Sequence, residues 1–236
     1  MSGGYIALSG MHTRLDQLDR LASDIANANT AGYKMTRTAS AEAARPQFDA
    51  LLESAIDVTT GGRRLDTAAG SINPTGRDLD VAIEGQGFFV VETAAGTRYT
   101  RNGHLSRNID GLLTTDDGSV VQGTTGPLTI GTGKVVVAED GTVRVGDAVA
   151  GTLAVVTFDD PGKLVREGAL LRSDGMEQLP VARVAIHGSA LEESNVSVVE
   201  RIAELTDVRR SFEALQKAIS LGGASDSKLM EVLGRR

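Results

Sequence analysis

The stretch LSGMHTRLDQLDRLASDIANANTAGYK, Leu8 to Lys34, decides how the chain folds. Apolar side chains recur at Leu8, Met11, Leu15, Leu18, Ala22 and Ile25, in alternating steps of three and four. That spacing keeps one stripe on one face of an α-helix, near the seam period of a coiled coil. Arg14, Asp16, Gln17, Asp19, Arg20 and Asp24 fill positions between and suit water or a polar neighbour. The run ends in Asn27-Ala28-Asn29-Thr30-Ala31-Gly32. Asn and Gly tolerate left-handed backbone, and Asn side chains compete for local hydrogen bonds, so this is a stop signal. A helix of roughly 24 residues is about 36 Å long. It cannot bury its stripe alone in water, so it needs a partner.

A matching pattern returns near the other end. Val198, Ile202, Leu205, Val208, Phe212, Leu215 and Ile219 form a second stripe near 3.5 residues per turn. Glu192-Glu193-Ser194-Asn195 precedes it, and Ser194 or Asn195 is the expected N-cap, with acidic residues where the helix dipole favours them. Gly222-Gly223 is expected to break or bend this helix, leaving Leu229, Met230 and Leu233 as a short coda.

Between the two helices the period changes to two. Leu79, Val81 and Ile83 alternate with Asp78, Asp80 and Ala82, then Gly85-Gln86-Gly87 leads into Phe88-Phe89-Val90-Val91. This reads as strand, glycine-marked bend, strand. Tight turns are expected at Asn102-Gly103, Asp110-Gly111, Asp117-Gly118, Asp140-Gly141 and Asp174-Gly175. Lys134 to Ala138 and Thr142 to Val145 make a hairpin across Asp140-Gly141, and Gly151 to Phe158 reads as a further strand. Residues 35–76 mix an Ala-rich, helix-compatible piece (Ser40 to Ile56) with TTGGRRLDTAAGSINPTG, and read as a connector of weak intrinsic order.

Bulk properties fit this division. The chain has 236 residues and 41% hydrophobic content, enough for a packed core, and its 28 glycines exceed what a helical bundle tolerates. The net charge of -7, with no dense Lys/Arg run, speaks against nucleic acid as a partner. No cysteine is present, which removes disulfides and thiolate metal sites. The opening MSGGYIALSG lacks a basic n-region and a long apolar h-region, so no cleaved secretory signal is expected. No window reaches 18 uninterrupted apolar residues, so no membrane insertion is expected either.

Candidates for chemistry fail one by one. His12, His104 and His187 are scattered without metal-ligand spacing. Gly126 to Val135, GPLTIGTGKV, misses the phosphate-loop spacing and has no hydroxyl after Lys134. Gly85-Gln86-Gly87 lacks the third glycine and the following helix of a dinucleotide site. The pairs Asp116-Asp117 and Asp159-Asp160 sit beside Gly or Pro turns, as solvated turn residues do. Asn195-Val196-Ser197 fits a glycosylation sequon, but helix capping explains Asn195 equally well. No catalytic residue, metal site or cofactor is expected, and the chain does not read as an enzyme.

Three segments carry a resemblance to the bacterial flagellar rod and hook family of axial proteins. ALSGM and DQLDRLASDIANANTAGYK resemble its N-terminal signature, through Asn27, Asn29, Thr30, Gly32, Tyr33 and Lys34. DLDVAIEGQGFFVVETAAGTRYTRNGHLSRNIDGLLTTDDGSVVQG resembles its central motif, through Gly85, Gly87, Phe88, Tyr99, Thr100, Arg101, Asn102 and Gly103. ALEESNVSVVERIAELTDVRRSFEALQKAI resembles its C-terminal helix, through Leu191, Glu192, Ser194, Asn195, Val196, Phe212 and Glu213. Within the family, the length and the YIALSG opening point to a proximal-rod member, with the distal rod as the alternative.

The expected fold is therefore α+β, with paired N- and C-terminal amphipathic helices, a coiled-coil-like inner domain, flanking an inserted all-β domain. Residues 1–34 and 191–236 supply the inner domain, 35–76 the connector, and 77–190 the β-rich outer domain. The expected assembly interface is Leu8, Met11, Leu15, Leu18 and Ile25 with Val198, Ile202, Leu205, Val208, Phe212, Leu215 and Ile219. The resemblance implies self-assembly with other rod proteins in the basal body's periplasmic rod, and passage through the flagellar type III export apparatus. A secreted β-domain protein that acts on or binds carbohydrate, merely dimerised by its helices, is the competing reading.

Overall fold

A computed structural model describes residues 2–38, 63–181 and 185–233; the Ala-rich piece Ser40 to Ile56 lies outside the described residues. The chain divides into a helical unit and a β unit, the latter made of Asn27–Arg37 and Arg63–Val196.

Helix α1 spans Ser2–Ala26 and α2 spans Val198–Leu233. α1 stops where the asparagines begin: the Thr30 N–H donates to the Asn27 carbonyl at 3.0 Å, and Tyr33 N–H to the Thr30 carbonyl at 3.2 Å. α2 departs from expectation twice. It starts later, since the first intrahelical bond runs from Arg201 N–H to the Ser197 carbonyl, which makes Ser197 the N-cap residue in place of Ser194 or Asn195. It also runs unbroken through Gly222-Gly223. A glycine in a helix costs about 1 kcal/mol but removes no hydrogen bond, and the flanking Leu, Ala and Ser carry the ladder across.

The two helices pack against each other. A β-carbon built on Gly10 would lie 3.8 Å from Leu215 Cδ1. Gly10 stands about 24 Å from the end of α1, and Leu215 about 26 Å from the start of α2. A parallel pair would therefore part Ala26 and Val198 by roughly 50 Å. Each is six residues from the Gly32–Glu192 main-chain bond, and about 42 Å of extended chain cannot span that gap. The pair is antiparallel.

In the β unit the strands are β1 Thr36–Thr38, β2 Arg63–Leu65, β3 Ile72–Pro74, β4 Val81–Glu84, β5 Phe88–Thr93, β6 Gly96–Thr100 and β7 Leu105–Arg107. They continue with β8 Leu113–Thr115, β9 Val120–Gly123, β10 Gly126–Pro127, β11 Val135–Val137, β12 Thr142–Val145 and β13 Ala148–Thr152. The last are β14 Val155–Thr157, β15 Val165–Glu167, β16 Leu170–Arg172, β17 Leu179–Pro180, β18 Ala185–Gly188 and β19 Ala190–Glu192. The main sheet runs β15-β16-β6-β5-β9-β8-β7, with β10 on β9 and β14 joining β5 to β17. β11-β12-β13 form a smaller sheet, in which Val135 faces Val145 and Val137 faces Val143, as the hairpin pattern predicts.

Strand β5 divides two cores. Phe89 and Val91 join the larger cluster with Val81, Ile83, Val121, Val143 and Ile186; Phe88 and Val90 join the smaller one with Tyr99, Phe158 and Leu171. Successive side chains point to opposite faces, so an unbroken apolar run marks a strand buried on both.

Three expectations change here. Gly151 to Phe158 is not one strand: Leu153 turns into the core and separates β13 from β14, which belong to different sheets. Asn102-Gly103 is not a hairpin turn. Its glycine is required because a β-carbon there would lie 1.6 Å from the Val81 carbonyl oxygen. The connector also contributes more order than expected, supplying β1 paired with β2, and β3 paired with β19.

Candidate functional site

Two sets of residues stand out, one in each unit. In the helical unit, Met11, Leu18 and Ile25 are half-buried, while Leu15 is 45% exposed. Among the described residues of α1 the fully buried positions are Leu21 and Asp24. Its exposed line is His12, Leu15, Asp19, Ala22 and Ala26, again in steps of three and four. The apolar stripe is thus turned partly outward. On α2, Val208 is buried and Leu205, Phe212 and Leu215 are half-buried, with Leu215 facing Gly10. Val198 and Ile202 are 39% and 51% exposed, and Val199 is 81% exposed. The Leu8 and Ile219 side chains lie outside the described residues. On α2 and at Leu15 the expected interface splits into an inward line, Leu205-Val208-Phe212-Leu215, and an outward one, Leu15 with Val198 and Ile202, to which the exposed Val199 is an addition. The sequence reading missed Leu21, Asp24 and Val199. Leu21 carried a signal, three residues after Leu18 in a helix; Asp24 carried none.

In the β unit the resembling motifs meet in one buried cluster. Lys34 Nζ reaches Glu192 Oε1 at 2.5 Å, with both side chains 1% exposed, and donates to the Ala68 carbonyl at 2.8 Å. Arg101 Nη1 stands 3.2 Å from Glu192 Oε2 and donates to the Ile83 carbonyl at 3.0 Å; Nη2 donates to the Gly85 carbonyl. The Gly70 N–H donates to Glu192 Oε1 at 3.0 Å. Glu192 Oε2 receives no aligned hydrogen bond from the described residues, so its link to Arg101 is one of charge. Burial pushes the Lys34 ammonium down from the ordinary lysine value, and the Arg101 charge adds to this, against the upward pull of Glu192.

Main-chain bonds close the same seam. Gly32 N–H donates to the Glu192 carbonyl at 2.7 Å, and Asn195 N–H to the Tyr33 carbonyl at 3.2 Å. Asn195 does not cap α2. Its Oδ1 accepts from Met35 N–H at 2.8 Å, and its Nδ2 donates to the Asp66 carbonyl at 3.0 Å. The Arg166 guanidinium lies 4.1 Å above the Tyr33 ring and donates to the Lys34 carbonyl.

The remaining motif residues support these. Thr100 Oγ1 accepts from Asn102 N–H, Asn102 Oδ1 from His104 N–H, and Ser194 Oγ from Val196 N–H. Tyr99 meets Phe158 edge-on at 4.9 Å, Phe158 also packs on Phe88, and Arg101 lies 5.6 Å over the Phe88 ring. A β-carbon on Gly87 would crowd Val155 at 2.7 Å. Asn27 and Thr30 bond through their side chains at 3.2 Å, and Asn29 is exposed. His104 pairs with Asp80 at 2.9 Å and His187 with Glu84 at 2.7 Å. Among the described residues no group of three potential metal ligands forms.

The chain matches three family models: flagella basal body rod protein over residues 5–34, flagellar hook protein FlgE/F/G D1 domain over 82–145, and flagellar basal body rod FlgEFG protein C-terminal over 187–230. It is 35% identical to the flagellar basal-body rod protein FlgF of Caulobacter vibrioides, over 98% of this chain and 97% of that one. The chain belongs to the flagellar basal-body rod protein family. It is also 30% identical to FlgF of Mesorhizobium japonicum, over 98% of both chains. To the rod protein FlgG of Bacillus subtilis it is 28% identical over 97% of both. The buried cluster draws one residue or more from each matched region of this rod-family chain: Lys34 from the first, Arg101 from the second, Glu192 and Asn195 from the third.

Proposed function

We propose that this chain is an FlgF-like structural subunit of the proximal rod of the flagellar basal body, with no catalytic activity. It joins copies of itself and other rod proteins through its terminal helices, in a coiled-coil-like inner domain of a torque-transmitting tube. The observation that carries this is the outward apolar line of the helix pair, Leu15 with Val198, Val199 and Ile202. Fully burying each such side chain contributes roughly 1.5–3 kcal/mol, so several per contact suffice for a repeating array. The exposed lines of α1 and α2 differ in sequence, which favours a head-to-tail contact, and such contacts propagate into helical assemblies. The assembly stands in the periplasm, reached through the flagellar type III export apparatus.

The distal rod is the alternative within the family. A carbohydrate-directed enzyme or binder is not favoured, since the relatives matched over nearly the whole chain are named as basal-body rod proteins. Leu15→Asp tests the proposal. The variant is expected to keep a soluble, folded β unit and to abolish motility and basal-body assembly. Normal motility with intact basal bodies would sink it.

A further inference from the structure

The buried charges around Glu192 are not balanced one to one. Lys34 and Arg101 are two buried cations, and Glu192 is the anion that pairs with both. Lys34 also donates to the Ala68 carbonyl, and Arg101 to the carbonyls of Ile83 and Gly85. Glu192 further accepts from the Gly70 N–H through its side chain and from the Gly32 N–H through its carbonyl. It is the point where the segment leaving α1, the central motif and the segment entering α2 meet. Of these residues Ile83 alone belongs to the larger apolar cluster, which also holds Phe89, Val91, Val121 and Val143; Gly32, Lys34, Gly70, Arg101 and Glu192 lie outside it.

We propose that Glu192 is the keystone of a latch that zips the segment leaving α1 to the segment entering α2. The latch opens without unfolding the β core, and only a closed latch gives a subunit that enters the rod. This rests on the rod reading above. The physical basis is an asymmetry. Removing Lys34 leaves Glu192 and Arg101 as a one-to-one pair. Removing the charge of Glu192 leaves two buried cations facing each other, which is far more costly than losing one contact.

The test uses the full chain as wild type, Glu192→Gln and Lys34→Met, with amide hydrogen exchange on the purified protein and incorporation into basal bodies in cells. In Glu192→Gln, exchange at Gly32, Met35, Gly70 and Asn195 is expected to accelerate by about tenfold or more, the scale of one lost ion pair or net hydrogen bond. Val91 and Val121 keep their protection, and incorporation is lost. Lys34→Met accelerates the same four amides much less. Should Glu192→Gln not accumulate, Lys34→Glu, which sets two anions against the single Arg101, is the second opener and is read identically. Unchanged protection at the four amides overturns the latch. So does equal acceleration at Val91 and Val121, or normal incorporation despite an open seam. Failure of the wild-type chain to enter basal bodies overturns the rod reading and with it the assembly role, while the exchange result still decides whether the latch opens on its own.

Discussion

Gly32 lies so close to the main chain of Arg101 that a β-carbon on it would sit 2.2 Å from the Arg101 carbonyl carbon, at a backbone φ of +66°. Two costs would fall on any side chain there, left-handed strain of about 1 kcal/mol and a clash with backbone that cannot move aside. Gly76 has a similar φ of +74°, but a β-carbon there would meet nothing within 4 Å, so it carries the first cost alone. Gly32→Ala is therefore expected to destabilise the β unit by more than about 2 kcal/mol, and Gly76→Ala by about 1 kcal/mol. Urea unfolding of the two variants measures the difference; equal midpoints would show that the Arg101 contact imposes nothing.

Burial of Lys34 has a consequence for alkaline stability. Desolvation lowers its pKa first, and the Arg101 charge adds to it, against the upward pull of Glu192. The folded chain thus holds this proton less tightly than the unfolded chain does. Between the lowered folded value and the ordinary lysine value the unfolded state binds more protons, so stability rises with pH through that window. Below the folded value both states are protonated and the slope vanishes. Lys34→Met lacks the group, so subtracting its unfolding free energy from the wild type's at each pH isolates it. The difference is expected to move in favour of the wild type as pH rises; a flat difference would mean that Lys34 keeps an ordinary affinity for its proton.

Continuity of α2 through Gly222-Gly223 makes a separate prediction. Glycine in a helix interior costs up to about 1 kcal/mol relative to alanine. The double substitution Gly222→Ala/Gly223→Ala is expected to raise helix content and thermal stability of the full chain, read by circular dichroism. A loss of either would mean that the glycines serve a bend.

How much of this is legible in the sequence follows from the range of the interactions concerned. The α1 stop at Asn27, the β11–β12 hairpin and the doubly buried β5 are written in local period and turn chemistry, and the sequence pattern finds them. Asn195 resembles a helix cap because its neighbours suit one, yet Met35 and Asp66, about 130 residues or more away in the chain, claim its side chain. Lys34 and Glu192, 158 positions apart, have no local signature of pairing at all. Periodicity also fixes a stripe without fixing which neighbour covers it. Leu15 and Ile202 fit their stripes as well as Leu205 and Val208 do, and only the packed helix pair separates outward from inward.

That separation can be tested directly on α2. Ile202 is 51% exposed and Val199 81%, so an aspartate at either meets water in the monomer and costs little, within about 0.5 kcal/mol. Val208 is 6% exposed, and an aspartate there would bury an unpaired carboxylate, costing several kcal/mol and opening the helix pair. Val199→Asp and Ile202→Asp are therefore expected to leave the melting profile of the purified chain unchanged while blocking its entry into basal bodies. Val208→Asp is expected to lower helix content before assembly is even reached. Scanning calorimetry and circular dichroism of the monomers, set beside electron microscopy of basal bodies from cells carrying each variant, separate the two classes. If Ile202→Asp and Val199→Asp both assemble normally, the outward line is ordinary solvent-exposed surface and the contact between subunits lies elsewhere on the helices. If they fail to assemble and also melt early, the line helps to hold the monomer together. Only normal melting combined with failed assembly assigns these residues to the contact between subunits.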